Sequence, residues 1–94
     1  MEKQFIIKIY KKKAGERYET FVRDIWSGCD KKTAFKEGRA ELIRLANYDI
    51  YSGVSESSEL DIIEEIKSIE NGSDNYYHDQ TTWSFKIFSK SIKN

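Results

Sequence analysis

The sequence predicts an α+β fold: a two-layer sandwich of order β-β-α-α-β, with two helices packed on one face of a three-stranded, mostly antiparallel sheet. Three observations carry that expectation. Apolar and polar residues alternate towards both ends of the chain, two internal segments repeat their apolar residues every three or four positions, and turn signals separate the segments. The 94 residues suit one domain, 1–94. The chain contains no proline, so glycines, caps and polar clusters must set every boundary.

The first strand is expected over residues 3–12, with Phe5, Ile7 and Ile9 on one face and Ile6, Lys8, Tyr10 and Lys12 on the other. Lys13–Glu16 supplies a turn around Gly15, and a second strand follows over Arg17–Trp26. Alternation in that second strand is mixed: Phe21 and Ile25 share a parity with Glu19 and Arg23, while Tyr18, Val22 and Trp26 share the other. Ser27 or Asp30 caps a helix from Lys31 to about Asn47, whose stripe is Ala34, Phe35, Gly38, Leu42, Leu45 and Ala46. Gly38 within the stripe implies a close approach of the helix to the sheet, because glycine there costs roughly 1 kcal/mol against alanine.

A loop is expected over Tyr48–Ser57, then a second helix from about Ser58 to Glu70 with Leu60, Ile62, Ile63, Ile66 and Ile69 as its apolar residues. Asn71-Gly72 ends it. Ser73–Gln80 is polar and turn-rich, and residues 81–88 alternate again, with Trp83, Phe85 and Ile87 inward. A helix pair between the strands would place the last strand parallel to the first and beside it, in the order 3-1-2. The uncovered sheet face would show Ile6, Lys8, Tyr10, Lys86 and Phe88, apolar enough to bind something or to be covered by a loop or a dimer partner.

Composition narrows the functional classes. Aromatic residues make up 14% of the chain, which argues for a folded core rather than disorder. A lone cysteine forbids an intramolecular disulfide and fits a reducing compartment, and no early apolar run is long enough to cross a membrane, so a cytoplasmic protein is expected. Cys29 is expected to be a small buried side chain, and His78, the one histidine, to belong to a polar surface loop. Neither has the spacing of a metal or nucleophile motif, and no glycine-rich phosphate loop occurs. An enzyme, a cofactor and a metal centre are therefore not expected.

Charge is the most informative pattern. Residues 1–48 carry 12 Lys/Arg against 7 Asp/Glu, and residues 49–94 carry 4 against 9, so a net of +5 faces a net of −5. Glu56, Glu59, Asp61, Glu64, Glu65 and Glu70 form an acidic set on and before the second helix, interrupted by Lys67 alone. Tyr10, Lys11, Lys12, Lys13, Arg17 and Tyr18 form a basic and aromatic set around the first turn, suited to phosphate contact and base stacking.

Residues 16–46, with Gly28-Cys29 after a hairpin and Thr33-Ala34 opening a helix, resemble HicB-type antitoxins; Ser27 stands where that family has a proline. The resemblance implies an antitoxin-like module. Small charge-segregated domains without active sites are also frequent among virus-encoded inhibitors of bacterial defence, an analogy of style rather than of residues. The leading expectation is a non-enzymatic inhibitor or regulator that covers the surface of a protein partner through its acidic set or its open sheet face. The alternative is nucleic-acid binding, antitoxin-like, through the basic hairpin and the first helix. A homodimer is compatible with either.

Overall fold

The computed structural model describes residues 3–91. Its elements run β1 (Lys3–Lys13), β2 (Thr20–Gly28), α1 (Lys31–Tyr51), α2 (Glu56–Glu70), β3 (Asn75–His78) and β4 (Thr81–Ser91). The sheet has four strands, not three, in the order β2-β1-β4-β3, and every pair is antiparallel.

The extra strand explains the direction of the last one. Asp79 and Gln80 both take positive φ, 51° and 60°, the geometry of a tight hairpin turn that matches strand twist. That turn reverses the chain within the polar segment after α2. β4 therefore lies beside β1, as expected, but antiparallel to it rather than parallel. The β1–β4 ladder runs unbroken from Lys3↔Ser91 to Lys13↔Thr81 and forms the centre of the sheet.

The β1–β2 ladder is less regular. Its register shifts between Ile7 and Lys8 and again between Ile9 and Tyr10, so Ile25 and Val22 are bulged residues without cross-strand partners. Each bulge inverts the parity of what precedes it. Phe21 pairs with Tyr10 on the open face, whereas Arg23 pairs with Ile9 on the helix face. The mixed alternation of this segment is the sequence image of two bulges, and it starts at Thr20 rather than Arg17.

Ile7 and Ile9 from β1, Phe85 from β4 and Tyr76 from β3 meet Ala34, Leu42 and Ala46 of α1 and Ile62 and Ile69 of α2 in one core. Gly38 lets α1 press onto the sheet: an added Cβ would lie 2.5 Å from the Phe85 ring. Asp30, not Ser27, is the N-cap of α1, accepting from Lys32 N at 3.1 Å and from Thr33 Oγ1 at 2.6 Å. Those bonds, the Thr33 hydroxyl foremost, hold its carboxyl below the usual carboxylate range.

α1 continues four residues past the expected end, to Tyr51, and α2 begins at Glu56 because Ser55, not Ser58, is its cap. Ser55 Oγ accepts from Ser58 N at 3.3 Å. Leu60 is not part of the buried stripe; it is 60% exposed on the outer side of α2. Cys29 is exposed rather than buried. His78 lies in β3 rather than a loop, half-buried and stacked on Tyr76.

The radius of gyration is 14.7 Å, against about 12 Å for a compact chain of this length. One cause is visible in the ladders. β3 covers β4 only from Thr81 to Ser84, so β4 runs on beyond it towards Ser91 with one edge free.

Candidate functional site

Three surfaces gather the residues that sequence reasoning selected. The first is α2. Of its acidic set, Glu56, Glu59, Asp61, Glu64 and Glu70 are exposed and Glu65 is half-buried. At about 100° per residue, Asp61, Glu64 and Glu65 fall on one flank and Glu56, Glu59 and Glu70 on the other, with Leu60 between them. The first flank faces β3: Asp61 lines a groove of about 410 Å³ with Tyr77, His78 and Asp79, and Glu65 lies close enough to influence the Tyr76 hydroxyl.

Tyr76 is fully buried and donates to Asp49 Oδ2 of α1 at 2.7 Å. Burial raises its pKa well above the ordinary phenol value, and the carboxylates of Asp49 and Glu65 add to the effect by opposing a second negative charge. The bond clamps β3 to α1 beneath α2.

Among the described residues, one base pairs with a carboxylate of α2: Lys67, on the same helix, 3.6 Å from Glu64. Four bases elsewhere are engaged with other partners. Lys8 meets Asp24 at 2.9 Å, Lys86 meets Glu19 at 2.6 Å, and Glu41 receives both Arg23, at 2.7 Å, and Arg44. The Arg44 and Arg23 hydrogen bonds hold the Glu41 carboxyl below its usual range against a desolvation penalty. These pairs neutralise opposite charges across the sheet and at Glu41 of α1, while no base from another element offsets the acidic set of α2 among the described residues.

The second surface is the open sheet face. Ile6, Lys8, Tyr10, Lys86 and Phe88 do share it, as expected, and they are joined by Phe21, Asp24 and Glu19. The bulges hid those three from a parity argument. Lys8 Nζ stands 5.0 Å from the Phe21 centroid and 6.0 Å from that of Phe88, and Lys86 Nζ stands 4.9 Å from that of Tyr10. Tyr10 and Phe21 meet edge to face at 5.9 Å. The lysine ammonium groups stand over the rings and are tied to carboxylates, which covers part of the apolar surface from within, while Phe21 and Phe88 remain exposed.

The third is the basic hairpin, which the structure divides. Tyr10 and Lys12 take the open face; Lys11 takes the helix face, 6.0 Å from the Trp83 centroid. Lys12, Lys13, Arg17 and Tyr18 are exposed around the turn, with Arg17 over the Tyr18 ring at 5.9 Å. Tyr10, drawn into the sheet by Phe21 and Lys86, does not join them.

No catalytic pairing links the remaining candidates. Cys29 follows Gly28, which pairs with Phe5, whereas His78 sits opposite Thr81, which pairs with Lys13. Eight residues of β1 separate those levels, about 26 Å along a strand. Among the described residues, no group of three or more His, Cys, Asp or Glu is placed to hold a metal ion, and no helix is long and apolar enough to cross a membrane. Of protein-family models, curated proteins and solved structures, none matches this chain.

Proposed function

We propose that this protein is a non-enzymatic binding protein that covers a surface of a protein partner, as an inhibitor or regulator does, with α2 as the principal contact. The observation that carries the reading is the isolation of the acidic set: no base from another element meets it among the described residues, although such pairs are frequent elsewhere in the molecule. A helix of net negative charge with no base from another element upon it attracts a basic surface over a distance and fixes its register on contact. Leu60, exposed between the two acidic flanks, supplies an apolar group to bury at the centre of such a contact.

The test compares wild type with Glu59→Lys/Glu64→Lys as immobilised baits in extract of the producing cell, followed by titration of the retained protein in purified form. Both residues are exposed, so the thermal transition should stay in place. Retention by wild type and loss by the variant supports the reading; equal retention removes α2 from it.

A second reading, nucleic-acid binding with an antitoxin-like role, is favoured by the exposed turn, where Lys12, Lys13 and Arg17 surround Tyr18. Lys12→Ala/Arg17→Ala should then lower affinity for single-stranded DNA or RNA and reduce its salt dependence. Absence of binding at low salt rejects this reading.

A further inference from the structure

We propose that the free edge of β4 pairs with the same edge of a second copy of this chain, joining two sheets into one. The edge is defined by the ladder. Phe85 N donates to Asp74 O at 3.2 Å, so the Phe85 amide points away from β1. In an antiparallel strand the direction alternates, and the β1–β4 register has no shift; the amides and carbonyls of Ile87, Ser89 and Ser91 therefore also point outward. β3 ends its pairing at Ser84 and leaves these groups without a strand partner.

The β2 edge and the stretch of β4 beyond β3 are built differently. β2 carries two bulges, the usual protection against edge-to-edge association. β4 carries none. Lysines commonly guard such an edge; of the two on this stretch, Lys86 is drawn inward across the face to Glu19 and the Tyr10 ring, and Lys90 stands exposed.

A strand pairs with its own copy about a two-fold axis, and the side chains select the register. With Ser89 on the axis, Ile87 lies opposite Ser91 and Phe88 opposite Lys90, each twice. Every outward amide then finds a carbonyl, for about six new hydrogen bonds. Each Phe88 ring, 43% exposed in the single chain, receives the ammonium of Lys90 from the other copy, a contact of the kind that Lys8 and Lys86 already make on this face. With Phe88 on the axis instead, Lys86 would oppose Lys90 and fewer outward groups would pair, because the Phe85 amide is already bonded to Asp74. An axis perpendicular to the sheet leaves both helix pairs on the same side, so the interface is self-complementary and closed.

The experiment is sedimentation equilibrium of the purified chain from about 1 μM to about 1 mM, the range in which a single strand pair is expected to associate. The expected result is a rise from the 11.1 kDa of one chain to twice that mass. Amide exchange at Ile87, Ser89 and Ser91 should slow as the mass rises. Ser89→Pro removes an outward N–H and no bond to β1, so it should keep the circular dichroism of wild type and stay at 11.1 kDa throughout. If that variant does not fold, Phe88→Ala reads the same interface and should weaken the dimer about tenfold. A wild-type chain that remains single at about 1 mM overturns the proposal, including one whose edge is taken by a strand of another protein. So does a dimer with exchange at the three amides independent of concentration, or one that Ser89→Pro and Phe88→Ala leave intact.

Discussion

Replacing Gly38 by alanine tests the packing of α1 on the sheet. In an exposed helix the change would stabilise by about 1 kcal/mol. Here the new Cβ would lie 2.5, 2.6 and 2.8 Å from three atoms of the Phe85 ring. Carbon atoms in contact prefer about 3.5–4.0 Å, so the ring or the helix must withdraw by about 1 Å. Phe85 is 4% exposed, and Phe35 stands edge-on to it at 6.4 Å, which limits its retreat. Overpacking of this kind costs about 1–3 kcal/mol, and an overlap at three ring atoms belongs at the upper end. The net expectation is a loss of about 1–2 kcal/mol, or about 5–10 °C in Tm for a domain of this size. Urea unfolding followed by circular dichroism measures it, alongside Phe85→Leu and the double variant. In the Phe85→Leu background the alanine should be neutral or stabilising. A gain of about 1 kcal/mol for Gly38→Ala alone would refute the close approach.

Other outcomes follow from individual contacts. Tyr76→Phe removes the bond to Asp49 and should cost about 1–2 kcal/mol in urea unfolding at neutral pH. Because the folded state keeps the Tyr76 proton above the pH at which an unfolded tyrosine loses it, wild-type stability should fall above about pH 10, by about 1.4 kcal/mol per pH unit from this group. The phenylalanine variant should lack that component; identical alkaline slopes would contradict it. Glu41 has the opposite linkage: its lowered pKa stabilises the fold above the unfolded carboxylate value and is lost as pH falls through the folded one. Glu41→Gln should therefore cost about 1 kcal/mol at neutral pH and flatten the acid limb of a Tm-against-pH curve. Gln80→Gly relieves a side chain held at φ 60° and should raise stability by about 1 kcal/mol in thermal unfolding.

Where one residue decides the local structure, the sequence was legible. The Gly38 stripe revealed α1 and its approach to the sheet, and alternation in β1 and β4 assigned both of their faces. Elements set by longer-range effects were not. Residues 75–78 offer only four positions of alternation, and their turn is Asp-Gln rather than the glycine-bearing pair that announces a hairpin, so the sequence of β3 carries no strand signal of its own. Two bulges scrambled the parity of β2 and hid Phe21, Asp24 and Glu19 as parts of the open face. Leu60 is apolar like Ile62, Ile66 and Ile69, yet at about 100° per residue it lies on the opposite side of α2 from them, so its place on the helix and not its residue type decides its exposure. For the surfaces, the sequence disclosed which residues carry charge but not which charges meet: Lys86 and Glu19 are 67 positions apart and in contact.

The pairing of β1 with β4 also governs how the molecule can be made. Its central ladder joins the first described strand to the last, so a chain leaving the ribosome holds β1, with Ile7 and Ile9 uncovered on one side, until β4 has emerged. The early hairpin and both helices can form meanwhile, but the layer they must close over is incomplete. Assembly of the native state thus waits on β4, and contacts so distant along the chain make folding slow relative to helical domains of similar size.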